Sequence, residues 1–292
     1  MNLNPSHFTE ISFPSLGIEI NPIRSIDIFG FSIHLYGIVI ALGLMLAVIY
    51  GCRRCRQFGL KVDDLTDGVL FIVPFAVLCA RLYYCIFEWD SYKDDFFRIF
   101  RIWEGGLAIY GGVIGAAIGI LVFAKVKKIR VGAVLDITSL GFLIGQSIGR
   151  WGNFFNREAF GAETNSILRM GLLNKYTNQI TYYHPTFLYE SLWNAAGFVL
   201  LHFLSKKRKY DGQVALLYVA WYGLGRTFIE GLRMDSLYWG PFRISQLLAA
   251  LSCFAAVAAL MVFHYFKQPD SSKMQVRMFD AQQAAKEEKK HE

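Results

Sequence analysis

Long apolar runs alternate with short polar connections along this chain. Seven runs are near the roughly 20 mainly apolar residues that a helix needs to cross about 30 Å of hydrocarbon. They lie near residues 31–50, 68–87, 107–126, 132–150, 187–205, 213–231 and 243–266. The longest connection, Trp151–Thr186, is the one with room for most of a small head. The pattern predicts an all-α integral membrane protein with seven transmembrane helices. Its parts are an N-terminal segment (1–30), a helical body (31–266, with 151–186 as the head loop) and a polar tail (267–292). The tail is rich in Lys, Glu and Gln and reads as a frayed end with some helix.

Composition agrees with the pattern. Hydrophobic residues make up 54% of the 292 and charged residues 18%, with a mean hydropathy of +0.34. Soluble domains carry nearer to about 25% charged residues. A disordered chain and a disulfide scaffold are both excluded. The net charge of +7 would point to nucleic acid if it lay on one soluble face. It does not. The first, third and fifth connections and the tail hold 18 of the 30 Lys and Arg residues, including Arg53, Arg54, Arg56, Lys127, Lys128 and Lys206–Lys209. By the positive-inside rule the N-terminus is outside, the C-terminus is cytoplasmic and the head is extracytoplasmic. No nucleic-acid partner is implied. Residues 1–30 lack the features of a cleaved signal peptide, so the first span is expected to act as its own insertion signal.

Cysteine and glycine change the picture little. Cys52-Arg-Arg-Cys55 has redox-motif spacing but lies in an inward connection with no second pair, so reduced thiols are expected. Cys79, Cys85 and Cys253 read as buried fillers. Gly111, Gly115 and Gly119 recur every fourth residue in the third span, as do Gly141, Gly145 and Gly149 in the fourth. Such stripes let two helix backbones approach closely. A phosphate-binding loop would need a Lys-Ser/Thr that is absent.

Polar residues inside spans are more informative, because a charge at the bilayer centre costs about 2.5–3.5 kcal/mol on insertion scales. The sixth span carries Tyr218, Tyr222, Arg226 and Glu230 at four-residue intervals, one stripe in which Arg226 and Glu230 can pair. The fourth ends at Arg150, the second carries Arg81 near its outer end, and the fifth opens with His184-Pro185. The first and third enter with His34, Tyr36 and Tyr110. Taken singly, these residues have ordinary readings: snorkelling for Arg81, interfacial aromatics for Tyr36 and Tyr110, a structural histidine for His34, and a helix-joining pair for Arg226 and Glu230. Their convergence at one leaflet describes a site for a phosphate-bearing lipid.

The run Gly149-Arg150-Trp151-Gly152-Asn153-Phe154-Phe155-Asn156-Arg157-Glu158, followed by Gly161, closely resembles the signature of bacterial prolipoprotein diacylglyceryl transferases. Further stretches are similar to the same family in unbroken order over roughly residues 30–255. These are His34-Leu-Tyr36-Gly37, Trp103-Glu-Gly-Gly106, Tyr110-Gly-Gly112, His184-Pro-Thr-Phe-Leu-Tyr-Glu190, Gly225-Arg226 with Glu230 and Arg233, and Ser245-Gln246. The resemblance implies a seven-helix body with a small external head in the bacterial cytoplasmic membrane. It also implies transfer of the diacylglyceryl group of phosphatidylglycerol to the lipobox cysteine thiol of a preprolipoprotein, releasing glycerol phosphate. Its partners are thus phosphatidylglycerol, lipobox signal peptides and membrane lipids, with no cofactor and no metal.

That chemistry builds negative charge on a departing phosphate, so fixed cations should face it. Arg150 and Arg226 are the candidates, with Glu230 holding Arg226. The resemblance adds Tyr36, Asn153, Glu158 and Gly161 to the expected site, and Asn156, His34, His184 and Arg81 are further candidates for contacting substrate. Where the family often has a histidine before the Gly-Gly pair, proposed as the base, this chain has Tyr110. A phenol with pKa about 10 is a weak base unless arginines depress it. Either Tyr110 acts as phenolate or donor, or the arginine field lowers the pKa of the substrate thiol; the second is the expectation, and His184 is the weaker candidate base. The rival reading is a polytopic transporter with an intramembrane Arg–Glu pair, which predicts polar residues through the full depth.

Overall fold

The computed structural model describes residues 7–28, 31–93, 95–102, 105–234, 236, 238–267 and 269–291. Trp103 and Glu104 of the quoted motifs lie outside them. The chain is mostly helical: α1 (Leu35–Arg54), α2 (Val62–Phe87), α3 (Ile109–Lys127), α4 (Val131–Asn156), α5 (Thr186–Ser205), α6 (Gln213–Glu230), α7 (Ile244–Val262) and α8 (Gln275–His291). Six helices are long and apolar enough to cross a membrane. Of the first seven, the exception is α6, whose eighteen residues include Gln213, Tyr218, Tyr222, Arg226 and Glu230. The helix that carries the most site chemistry is the one whose composition least marks it as a span.

Two packing units divide the chain. The first comprises Met1–Ile49, Ser139–Arg208 and Gln213–Pro269. The head, for which the sequence predicted no strands, is a four-stranded antiparallel sheet of order β2-β1-β5-β6, with β1 at Phe8–Phe13, β2 at Ile18–Ile20, β5 at Met170–Asn174 and β6 at Gln179–Tyr183. A hairpin from the 151–186 loop alone would leave one face and both edges uncovered. Strand β1 from the N-terminal segment pairs with β5 and closes the core. Phe8, Ile11, Met170, Leu172 and Tyr183 point inward, joined by Phe154 from the end of α4, Phe160 from the loop and Phe187 from the start of α5. The sheet therefore grips α4 within the signature, at Phe154, and α5 at its start, at Phe187. Strands β3 (Ser25–Ile28) and β4 (Phe31–His34) form a hairpin that feeds α1, with the Leu35 N–H donating to the Arg24 carbonyl at 2.9 Å.

Within this unit the glycine stripe of α4 meets α1. A Cβ on Gly149 would stand 3.1 Å from Ile40, and one on Gly43 would stand 3.4 Å from the Gly145 backbone. Ser147 Oγ donates to the Ser191 carbonyl at 2.9 Å and Ser191 Oγ to the Ser147 carbonyl at 2.8 Å, fastening α4 to α5. Trp193 and Trp221 stack and exchange indole N–H bonds with each other's carbonyls, both at 3.0 Å, fastening α5 to α6.

The second unit comprises Tyr50–Thr138, Lys209–Gly212 and Asp270–Glu292. Here the other glycine stripe packs against α2: a Cβ on Gly111 would stand 2.6 Å from the Cys79 carbonyl, and one on Gly115 would overlap the Cys79 side chain. The tail is more ordered than expected. Gln275 opens α8 and is buried; its N–H donates to Asp211 at 2.7 Å, and its side-chain oxygen accepts from the Arg130 N–H at 3.0 Å. The Ala-, Lys-, Glu- and Gln-rich segment after it consists largely of good helix formers.

Candidate active site: an arginine ring on a buried glutamate

Helix α4 ends because Arg157 adopts a left-handed backbone, φ 55°. The Arg157 side chain is buried and donates to Asn21 Oδ1 at 2.8 Å and to the Pro22 carbonyl at 2.6 Å. Burial and the nearby Arg24 guanidinium push its pKa below the usual arginine value. The turn brings Glu158 back over the helix end: its N–H donates to the Asn153 carbonyl at 3.0 Å. Glu158 Oε1 accepts from the amides of Asn153 (3.1 Å) and Asn156 (3.2 Å). The three polar members of the signature thus form one cluster.

Two signature glycines have clear steric reasons. A Cβ on Gly152 would stand 2.5 Å from the Tyr36 ring, so the Arg-Trp-Gly order leaves room for that tyrosine on α4. A Cβ on Gly161 would stand 2.7 Å from His184 Cβ and 2.8 Å from the Leu232 carbonyl. Here the loop threads between the chain entering α5 and the chain leaving α6. The Gly161 N–H donates to the His184 carbonyl at 2.8 Å and the Ala162 N–H to the Leu232 carbonyl at 2.7 Å, and Thr186 Oγ1 donates to the Ala159 carbonyl. Gly161 therefore holds helix ends in place, and its backbone N–H is already committed to protein.

These constraints set the helix ends around a charged centre. Glu190, the fifth residue of α5, is 4% exposed and receives three arginines. Arg150 Nη2 lies 2.6 Å from its Oε2, Arg226 Nη1 2.9 Å from its Oε1 and Arg233 Nη1 3.3 Å from the same oxygen. The second terminal nitrogen of Arg226 lies 2.6 Å from Glu230 Oε2, the i,i+4 pair expected from the sequence, and Glu230 is 2% exposed. Arg243 Nη1 donates to the Glu230 carbonyl and its Nε to Tyr238 OH at 2.9 Å. Three guanidiniums and two carboxylates meet here, with Arg243 beside them. The side chains of Arg150 and Arg226 stay 23% and 18% exposed. Each guanidinium has five N–H donors and needs only one or two for these carboxylates. The arrangement can receive a singly charged phosphodiester and stabilise the extra charge that appears when one ester bond breaks.

The hub was not legible as a site residue. Glu190 stands in the quoted His184–Glu190 run without a role, and Arg233 and Arg243 were likewise given none. A glutamate five residues into an apolar helix was the available signal. Among the expected residues, Arg150, Arg226 and Glu230 meet in the ring; Asn153, Asn156 and Glu158 meet in the amide cluster; and Tyr36 lies against Gly152. His34 is exposed at the end of β4, and His184 Nδ1 lies 3.3 Å from Tyr189 OH. Tyr110, half-exposed at the start of α3, belongs to the second unit. Arg81 does too, and it neither snorkels nor offers free donors. It is 2% exposed, with its guanidinium on the carbonyls of Arg98, Ile99, Arg101, Gly105 and Gly106 at 2.5–3.1 Å. A buried guanidinium so surrounded organises the α2–α3 connection, which replaces the expected headgroup contact.

Comparison with known proteins agrees with the motif. Residues 24–262 match the family described as prolipoprotein diacylglyceryl transferase. The phosphatidylglycerol–prolipoprotein diacylglyceryl transferase of Ligilactobacillus salivarius is 43% identical over 258 residues, 86% of this chain and 95% of that one. Its namesake from Bacillus velezensis is 44% identical over 258 residues, 86% and 94% of the two chains. The Listeria welshimeri protein of the same name is 42% identical over 233 residues, 78% and 84%. With the arginine of its signature set on a buried glutamate and most of its length matched, the chain belongs to the prolipoprotein diacylglyceryl transferase family.

Proposed function

We propose that this chain transfers the diacylglyceryl group of phosphatidylglycerol to the lipobox cysteine of a preprolipoprotein, at the extracytoplasmic face of the bacterial cytoplasmic membrane. Family membership supports the reaction, and the Glu190-centred ring supports the place. Seven spans are part of the reading, with α6 carried across by its neighbours, the N-terminus outside and the tail inside. The basic connections after α1, α3 and α5 favour that orientation.

The cysteine sulfur, having lost its proton, attacks the lipid glycerol carbon that bears the phosphate. A carbon–sulfur bond forms, the carbon–oxygen bond breaks, and its electron pair leaves on the phosphate oxygen as glycerol phosphate. Arg150 and Arg226 hold the phosphate and stabilise the growing charge. Glu190 and Glu230 fix the two guanidiniums, while Asn153, Asn156 and Glu158 line the approach. The thiol, with pKa near 8.5 when free, ionises in the field of the ring arginines and releases its proton to water, which assigns no base role to Tyr110.

The test uses the purified full-length protein, phosphatidylglycerol vesicles and a synthetic lipobox peptide. The reading requires release of glycerol phosphate in step with a thioether-linked peptide, and a loss of at least about 100-fold in Arg150→Ala. Absence of transfer by the intact protein would refute it.

A further inference from the structure

The head sheet has two unlike faces at its β2 edge. The antiparallel register sets Ile20 opposite Ile11, Ile18 opposite Phe13 and Glu19 opposite Ser12. Paired residues share a face, and neighbours along a strand alternate. Ile11, Phe13, Ile18 and Ile20 therefore lie on one face, Ser12 and Glu19 on the other. The apolar face is the one turned to the helices, because Ile11 packs in one core with Phe154 at the end of α4 and Phe187 at the start of α5.

Only part of that face is covered. Ile11 is fully buried, whereas Ile18 and Ile20 at the edge stay 40% and 42% exposed. The apolar surface continues on either side of β2, with Leu16 68% and Ile23 59% exposed. Ser15 Oγ donates to the carbonyl of Ile167, another exposed aliphatic residue. Water-facing surfaces rarely gather aliphatic side chains in this way. The edge is an overhang, apolar towards the helices and polar away from them.

Two sets of bonds fix its height. The Leu35 N–H, at the first residue of α1, donates to the Arg24 carbonyl next to Ile23. Arg157, one residue past α4, donates to Asn21 and to the Pro22 carbonyl, just after β2. The segment leaving β2 is thus level with the outer ends of two long apolar helices, and exposed Ile38 and Ile40 carry the apolar surface on down α1. That height is where headgroups give way to acyl chains. An aliphatic surface there, with its acidic neighbour turned the other way, matches an interfacial element.

We propose that Leu16, Ile18, Ile20 and Ile23 form a foot through which the head rests in the outer leaflet of the bilayer. The inference rests on the reading of α1 and α4 as spans with the head outside. Since Asn21 and Pro22 also hold Arg157, the foot ties the bilayer surface to the turn that places Glu158.

The experiment uses the full-length wild type, one copy per nanodisc of phosphatidylglycerol and phosphatidylcholine. The discs carry a phospholipid with a photoreactive diazirine either high on an acyl chain or at its end, and adducts are mapped by mass spectrometry. The shallow probe should label residues 16–23 and the first turns of α1, and the deep probe the middle of α1 alone. Ile18→Asp combined with Ile20→Asp should cut the shallow adducts on 16–23 about tenfold or more while leaving those on α1. Shallow adducts on α1 with none on 16–23 in the wild type overturn the foot and spare the spans, an outcome that needs no variant to fold. Undiminished adducts in the double variant overturn it too. So does labelling of 16–23 that disappears when lipobox peptide is added, which would make the edge a peptide seat. No adducts on α1 from either probe would remove the spanning reading together with the foot.

Discussion

Glu190 connects three arginines through two oxygen atoms, which makes it the residue on which the ring geometry most depends. Glu190→Gln keeps the size but removes the charge. We expect transfer to fall at least about 100-fold and stability by about 3 kcal/mol, since breaking a buried ion pair costs about 3–5 kcal/mol. Glycerol phosphate release and thermal unfolding in detergent measure the two effects. Tyr110→Phe tests the proton route. With the thiol ionising in the arginine field, this variant should retain transfer with a pH profile like the wild type; abolition at every pH would assign the base to Tyr110. Ala159 has φ 54°, a left-handed backbone that costs a residue with a Cβ about 1–2 kcal/mol, so Ala159→Gly should raise stability by about 1 kcal/mol. At this scale the sequence was partly readable. The Arg226–Glu230 pair follows from spacing along one helix, whereas Glu190 finds its partners only after three helices have met.

Helices and strands divide the work differently. The sheet core holds Phe154 and Phe187, which stand next to Asn153 and three residues before Glu190. Phe187→Ala should cost about 3–5 kcal/mol and also reduce transfer, because the cavity loosens the start of the helix that carries Glu190. Gly152→Ala should act more narrowly. A methyl group there displaces the Tyr36 ring, so transfer falls while Tm changes little. The apolar runs placed all seven large helices to within a few residues at most ends, because length and hydropathy are local properties. The strands were missed because β1 is six residues long and its partner β5 lies far along the chain. Some helix was expected in the tail, but its docking was not legible for a similar reason: its anchor is one glutamine whose partners come from two distant connections.

For the whole molecule, the proposed orientation places the head sheet and the tail on opposite sides of the membrane. Thr177→Cys, in the exposed turn between β5 and β6, should react with a membrane-impermeant maleimide on intact cells, and Ser272→Cys, ahead of α8, only after lysis. The reverse labelling would invert the topology. Charge placement carried this expectation from sequence alone, since it depends on counts in connections and on no tertiary contact.

The paired tryptophans and paired serines have a consequence for turnover. They fix α4, α5 and α6 to one another through reciprocal bonds beside the ring. Little hinge or shear remains available among those three helices, so most of the adjustment during a reaction cycle falls to the substrate lipid. Turnover should then follow the fluidity of the surrounding bilayer, slowing sharply when the acyl chains freeze even though the protein itself has not changed.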